Sequence, residues 1–230
     1  MTLRLKVFLI IGTSLIVFFF SMNQFLSRII ARDFIELENR EAEKNTSRVV
    51  DALAGHMQAL SVKAGDWAQW DDTYAFIFDK NEEYVQSNLQ NESLEILRIN
   101  TVTILDLQGK ILFDKTVRGG QIVPSSPMFL SHISEDIIEE YIATEKPHVE
   151  MIRTESGAFM YVARPVTSSD GLSPVNGFIV FGYFFDEDTV AELSRVTHLE
   201  ITYIPYANES LREEFSYIWA ALSSESPTFL

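Results

Sequence analysis

Cysteine is absent from this 230-residue chain, and basic residues are scarce. The first absence excludes a disulfide framework, a cysteine nucleophile and any thiolate metal site, although it does not fix the compartment. The second leaves 18 Lys and Arg against 33 Asp and Glu, a net charge of −15. Because phosphate binding needs clustered basic side chains, we do not expect nucleic acid among the partners.

Sequence motifs for catalysis are also missing. The four histidines lie apart without the HExxH spacing of a zinc protease, and no nucleophile elbow, P-loop or dinucleotide fingerprint occurs. The adjacent pair Asp71 and Asp72 would point about 100° apart on a helix, which is a poor start for a two-carboxylate acid–base site. The sequence therefore predicts a chain that is not an enzyme and holds no cofactor or metal.

Charge is distributed unevenly along the chain. Residues 1–32 carry four basic residues and no acidic one, whereas the remainder carries a net charge of −19, since the whole chain carries −15. Within this basic head, Val7–Ser27 is a run of 21 residues without a charge. As a helix it would span about 31 Å, close to the hydrocarbon thickness of about 30 Å in a bilayer. The sequence therefore predicts a membrane segment.

Three interpretations of this segment are open: a retained signal anchor, a cleaved signal peptide and a core helix of a soluble domain. The anchor is favoured because no small-x-small cleavage site follows and polar residues do not recur at helical spacing. We therefore expect residues 1–27 to form a cytoplasmic tail and transmembrane anchor in the inner (plasma) membrane. The short basic tail then puts the acidic body outside the cytoplasm.

A long helical pattern follows over residues 28–79, which contain no proline. Apolar residues recur near its start and again from Val49 onward, but residues 36–48 are almost wholly polar. This pattern predicts a stalk helix that is exposed near the membrane and packed further out. A coiled-coil dimer along the stalk is left open, because the apolar spacing is too irregular to require one.

Beyond the stalk, the apolar period changes from helical to strand-like. The predicted strands are 98–106, 111–114, 148–153, 158–166, 176–185 and 199–204, and the predicted helices are 134–144, 187–195 and 209–222. Residues 119–131 contain two glycines and two prolines and are predicted to form a loop. Antiparallel strands with short helices make an α+β domain, in an order typical of PAS-like or Cache-like sensor folds.

The most distinctive run of the chain is DWAQWDDTYAF, residues 66–76, which holds two of its three tryptophans. On one continuous helix Trp67, Asp71 and Tyr74 would share a face. Such aromatics either cap a core against a sheet or form the wall of a ligand pocket. The candidate ligand-binding side chains in this run are Trp67, Trp70, Asp71, Asp72 and Tyr74.

Two further candidates lie later in the chain, within the segment Ala163–Glu187. Arg164 precedes a proline on a predicted strand. It either forms an ion pair, with Asp71, Asp72 or Asp170, or binds a carboxylate or phosphate through its two-pronged guanidinium. Residues 168–171 are first of all a turn, and as a ligand-facing loop they would contribute Asp170.

The run DWAQWDDTYAF, followed by YVQSNL at residues 84–89, resembles the signature of the fourth class of CHASE domains. The segment Ala163–Glu187 resembles the second block of that family, with its Arg-Pro, its Ser-Asp-Gly and its glycines at 177 and 182. The resemblance covers residues 45–205 and leaves 206–230 as a C-terminal tail. It implies a PAS-like sensor, coupled in such receptors to a histidine kinase or diguanylate cyclase.

The resemblance implies that this chain is a membrane-anchored extracytoplasmic sensory domain that binds a small ligand. Receptors of this kind carry a second membrane helix after the sensor, whereas the run near residue 220 is too short to span a bilayer. We therefore expect either a fragment of a longer receptor or a sensor-only accessory protein. The accessory protein would act by dimerisation or by association with a full-length receptor kinase or cyclase.

Overall fold

The structure is a computed structural model that describes residues 3–144, 146–204 and 215–221. The chain divides into two compact units, one of residues 1–48 with 222–230 and one of residues 49–221. The first helix, α1 (Leu3–Ala68), supplies all of the described residues of the first unit. The sheet and the other helices belong to the second unit.

Helix α1 begins with the uncharged apolar segment. Among the described residues it is the one helix long and apolar enough to cross a membrane, with a mean hydropathy of 1.8 over the qualifying window and none of that window buried. Its large apolar side chains are exposed, Phe8 by 73% and Phe20 by 67%. Contiguous apolar surface of this extent is typical of a segment that contacts lipid or another protein.

The last turns of α1 pack on the sheet. Leu60, Ala64 and Ala68 recur every four residues, and all three are buried. The helix then ends, so the continuous helix predicted over residues 28–79 is interrupted after Ala68. Trp70 has an extended backbone, with φ −86° and ψ 136°, and its carbonyl accepts the Tyr74 N–H at 2.9 Å.

A second helix, α2 (Asp71–Asp79), starts at this break. Asp71 and Asp72 occupy its first turn, where acidic side chains interact favourably with the helix dipole. Two short helices follow in a stretch with no sequence prediction, α3 (Glu82–Asn88) and α4 (Asn91–Leu97). The Asn81 side chain caps α3 by accepting the Glu83 N–H at 2.8 Å.

Six antiparallel strands form one sheet in the order β3-β2-β1-β6-β5-β4. The strands are β1 (Thr101–Asp106), β2 (Ile111–Arg118), β3 (Gln121–Val123), β4 (His148–Thr154), β5 (Gly157–Val166) and β6 (Gly177–Phe184). The remaining helices of the described residues are α5 (Pro127–Thr144), α6 (Glu187–Thr197) and α7 (Ser216–Ala221). This confirms the predicted α+β fold with a PAS-like antiparallel sheet.

The sheet is covered on both faces, and side chains alternate between the two cores. Val162 and Val166 of β5 pack with Leu60 and Ala64 of α1. Tyr161 and Ala163 point the other way and pack with a second cluster on α5. In that cluster Phe129, Ile133 and Ile137 recur at helical spacing and are fully buried.

Besides the continuous helix over residues 28–79, two predicted elements are wrong. The loop predicted over residues 119–131 is replaced by a Gly119–Gly120 turn, strand β3 and the start of α5, because Pro127 is well suited to the first position of a helix. The strand predicted over residues 199–204 does not form, since these residues have no ladder partner. Of the helix predicted over residues 209–222, the structure describes residues 215–221, of which α7 covers 216–221, and the rest lie outside the described residues.

Candidate functional site

The two tryptophans of the signature run stack on each other at the end of α1. Their ring centroids are 4.7 Å apart, with 21° between the planes, and the Trp67 ring also meets the edge of Phe181 at 5.6 Å. Trp67 therefore covers the sheet core, as one of its two interpretations expected. Trp70 is 37% exposed and lies on the outer side of the stack.

The face that Trp67 was expected to share with Asp71 and Tyr74 does not exist, because the helix breaks between them. Tyr74 instead belongs to α2, where its ring meets the edge of Phe78 at 5.6 Å. Its carbonyl accepts a hydrogen bond from the Asn176 side chain at 2.8 Å. This bond ties α2 to the residue that precedes β6.

Two of the candidate carboxylates hold the loop at residues 168–172. Asp71 accepts the Ser169 backbone N–H at 2.9 Å and the Ser169 hydroxyl at 2.8 Å, and these bonds lower the pKa of Asp71. Asp170 accepts the Ser168 hydroxyl and the Leu172 N–H, which lower its pKa as well. Asp72 is exposed beside them.

Arg164 does not form the predicted ion pair. It has no ionic partner among the described residues, since the loop engages Asp71 and Asp170. Its guanidinium lies flat against Gly65 of α1, where an added Cβ would come within 2.9 Å of Nη2. The Nε atom is buried without a hydrogen-bond partner, and burial lowers the pKa of the guanidinium.

A cavity of about 690 Å³ lies on the α1 side of the sheet. It is bounded by α1, by the end of α4, by the Gly119–Gly120 turn and by the start of α6. None of the seven residues predicted from the sequence lines it. Leu60, Leu94 and Ile99 supply buried apolar surface to its lining.

Basic groups line the cavity from one side, namely His56 and Lys63 of α1 and Arg98 after α4. The Lys63 ammonium donates to the Leu97 carbonyl at 2.7 Å. Burial lowers the pKa of Lys63, and the nearby charge of Arg98 lowers it further. An anionic group placed between the two cations would relieve this repulsion.

Acidic groups line the cavity from α6 and its N-cap residue. Asp186 caps α6 by accepting the Thr189 N–H at 3.1 Å, and Glu192 accepts two hydrogen bonds from Arg195, at 2.6 and 2.9 Å. The bonds from Arg195 lower the pKa of Glu192. Asp188 has no partner among the described residues. The lining thus offers both signs of charge, which suits a small molecule that carries an acidic and a basic group.

Asn100 joins the sheet at the inner end of this cavity. Its side chain donates to the Val117 carbonyl at 3.1 Å and accepts the Phe184 N–H at 2.9 Å, so it bridges β2 and β6. The cavity could not be predicted from the sequence because its lining comes from four separate segments of the chain. Within the part of the chain that the structure describes, no group of three or more His, Cys, Asp or Glu side chains is arranged to hold a metal ion.

A long helix that leads into a six-stranded antiparallel sheet, with helices on both faces, defines a PAS-like (Cache-like) sensor domain. The chain matches the CHASE4 domain family over residues 52–204 and belongs to that family. The resemblance drawn from the two sequence blocks is confirmed.

One curated relative is the methanogenesis regulatory histidine kinase FilI of Methanothrix harundinacea, 21% identical over 203 residues. The match covers 87% of this chain but only 23% of that kinase, so the chain spans about a quarter of its relative. Among solved structures, a domain of a sensory box/GGDEF family protein from Vibrio parahaemolyticus has a TM-score of 0.49 at 11% identity, covering 67% of this chain and 63% of that one. The DctB sensor domain of V. cholerae has a TM-score of 0.43 at 14% identity, covering 63% and 55%.

Proposed function

We propose that this chain is the extracytoplasmic sensory part of a membrane-bound receptor, and that a small charged molecule binds in the cavity between α1, α4 and α6. One observation carries the proposal. The same helix, α1, contains the uncharged segment Val7–Ser27 and the buried residues Leu60 and Ala64 that pack on the sheet. It also supplies His56 and Lys63 to the cavity lining.

A ligand in the cavity would contact α1 directly. Its acidic group would bind between Lys63 and Arg98, and its basic group would face Asp188. Binding would move α1 relative to the sheet only to the extent that the ligand prefers one position of the helix over another. The motion would then reach the membrane segment through the helix itself.

The membrane location and the output are also part of the proposal. The bare apolar segment of α1 supports a single-pass anchor in the inner membrane, with the sheet domain outside the cytoplasm. The similarity to a histidine kinase supports a kinase as the output partner. Co-purification from native membranes tests this pairing, and a receptor kinase or a second copy of the chain is the expected companion.

The seven residues predicted from the sequence define a second candidate site. Arg164 supports this site, because its buried Nε has no hydrogen-bond partner and no carboxylate of the described residues pairs with its guanidinium. An anionic ligand at this position would contact Arg164, and the other candidate contacts predicted from the sequence are Trp67, Trp70, Tyr74, Asp71, Asp72 and Asp170. The two candidate sites are distinguished by which substitution abolishes binding.

The test is a thermal-shift screen of the full chain in lipid nanodiscs against amino acids, organic acids and polyamines. A ligand at 100 times its Kd adds about 2.7 kcal/mol to the free energy of unfolding. We expect a hit among zwitterionic compounds that is lost in Lys63→Gln and Arg98→Gln. The control is Lys110→Gln, which neutralises an exposed lysine in the β1–β2 turn.

A hit that survives both cavity variants and is lost in Arg164→Gln would move the site to the second candidate. The absence of any hit from well-folded protein would contradict ligand sensing by this chain. In that case the assembly interpretation, in which the domain acts by pairing with a receptor, would replace it.

A further inference from the structure

On the face of the sheet opposite α1, five polar side chains join α5 to the strands. His132 and Glu140 come from α5, His148 and Glu150 from β4, and Tyr161 from β5. His148 is 8% exposed and Tyr161 is fully buried. The cluster therefore lies at the edge of the contact between helix and sheet, with its centre buried and the carboxylates of Glu140 and Glu150 partly exposed.

Glu150 is the common acceptor of the network. Its Oε2 lies 2.8 Å from the Tyr161 hydroxyl, 2.8 Å from His132 Nε2 and 3.1 Å from His148 Nε2. Burial alone would raise the pKa of Glu150, but the hydrogen bonds from His132, Tyr161 and His148 outweigh it and lower the pKa. Glu150 is therefore a carboxylate over the ordinary pH range.

His148 is placed between two carboxylates. Its Nδ1 contacts Glu140 Oε2, and its Nε2 faces Glu150 Oε2 and lies 2.8 Å from the Tyr161 hydroxyl. An ionised carboxylate only accepts hydrogen bonds, and a neutral imidazole has a single N–H. Either neutral tautomer therefore leaves one ring lone pair against a carboxylate oxygen.

The Tyr161 hydroxyl does not remove this conflict. If it donated to His148, Glu150 would lose that donor and would still lie 3.1 Å from an unprotonated Nε2. The imidazolium has two N–H groups, so it is the state of the His148 ring that gives each of the two carboxylates a donor, while the Tyr161 hydroxyl donates to Glu150.

We propose that His148 is held as an imidazolium between Glu140 and Glu150, and that loss of its proton loosens α5 from the sheet. This face of the domain would then respond to pH independently of the ligand cavity. Among the described side chains, the titratable groups that face His148 are Glu140 from α5, Glu150 from its own strand and Tyr161 from β5, with His132 bonded to the same Glu150 oxygen.

The direction of the pH response of α5 follows from the proton that His148 binds. Loss of the His148 proton leaves an unprotonated ring nitrogen against a carboxylate oxygen, so the network weakens as pH rises. The lowered pKa of Glu150 acts in the opposite direction at low pH, where protonation removes the common acceptor. The attachment of α5 is therefore strongest between these two limits.

The first measurement is magic-angle-spinning ¹⁵N NMR of the full chain with labelled histidine in lipid. At about pH 6 one buried histidine should show both ring nitrogens protonated, and the signal should be absent in His148→Gln. The second is hydrogen exchange of α5 peptides, corrected for the intrinsic pH dependence. We expect the corrected rates to rise about tenfold between about pH 6 and about pH 8.5, with α6 unchanged.

Glu140→Gln separates this proposal from a merely structural network. A Gln side chain has both a donor and an acceptor, so it satisfies either state of the His148 ring and should weaken the pH response of α5. Glu139→Gln is the matched control, because Glu139 is the exposed neighbour on the same helix. It should keep the full response.

Two results would overturn the proposal. One is a neutral His148 ring in the ¹⁵N spectrum at about pH 6. The other is an equal pH response of α5 in Glu140→Gln and Glu139→Gln. If Glu140→Gln fails to fold, the spectrum of the unsubstituted chain still decides.

Discussion

The two faces of the sheet use charge in different ways. On the α1 face, the basic side chains of His56 and Arg98 and the acidic side chain of Asp188 line a cavity and do not pair with one another. On the α5 face, carboxylates and imidazoles are bonded directly, with Glu150 accepting three hydrogen bonds. Unpaired charges around a cavity are suited to binding a charged ligand. A network of carboxylates and imidazoles bonded to one another is suited to responding to the gain or loss of a proton.

The faces also differ in how much apolar packing supports them. Helix α5 buries a continuous stripe, and Phe129 meets both Phe159 and Tyr161 with ring centroids at 4.9 and 5.5 Å. On the other face, α1 uses the smaller Ala64 and Ala68 to approach the sheet closely. This comparison leads to three predictions, beginning with the largest effect.

Truncation of the α5 stripe should have the largest effect. Phe129→Ala removes a ring that is 1% exposed and leaves a cavity against two aromatic partners. We expect the free energy of unfolding to fall by about 3–5 kcal/mol. Urea denaturation of the full chain measures it, with the exposed Met128→Ala as the matched control. A loss below that of the control would mean that α5 contributes little to the stability of the sheet.

On the α1 face, the new Cβ of Gly65→Ala would lie within 2.9 Å of Nη2 of Arg164 and force the guanidinium to move, so we expect this cost to offset the helix-propensity gain of about 0.5–1 kcal/mol. Gly55→Ala on the same helix has no atom within 4 Å of its Cβ and should stabilise by about 0.5–1 kcal/mol. Thermal unfolding distinguishes the two. Equal effects would show that Arg164 leaves the helix surface freely.

The smallest effect concerns the loop at residues 168–172. The hydrogen bonds from Ser169 lower the pKa of Asp71, so its contribution to stability is present above the unfolded-state pKa and is lost as pH falls. In the unsubstituted chain, the midpoint of urea denaturation should therefore fall as pH is lowered from about 5 to about 3, and Asp71→Asn should make this fall smaller. Asp72→Asn, next to it in the same helical turn, should leave that decline intact, and a reversed order would contradict the assignment.

Much of the fold could be predicted from the sequence. The β-branched and aromatic runs of β1, β5 and β6 are local information, and they set where these strands form. The break after Ala68 was missed because the apolar period continues through it. The pair Asp71 and Asp72 was the available signal, since two acids are typical of the first turn of a new helix.

The site was harder to predict for a physical reason. The signature run is distinctive in sequence because it packs the end of α1 and anchors a loop, and much of that role is structural. The groups that line the cavity, such as Lys63 and Glu192, come from segments far apart in the chain. Neither the proximity of these groups nor the protonation state that we propose for His148 follows from any spacing along the sequence.

The strand order has a consequence for how the domain folds. Strands β1 to β3 are consecutive neighbours, and so are β4 to β6, so each half is built from hairpins with local contacts. Only the β1–β6 ladder joins the halves, and it pairs Thr101 with Gly182. Because contacts distant in sequence cost more loop-closure entropy, we expect this ladder to form last. Asn100, which bridges β2 and β6, would then complete the sheet and the cavity in the same late step of folding.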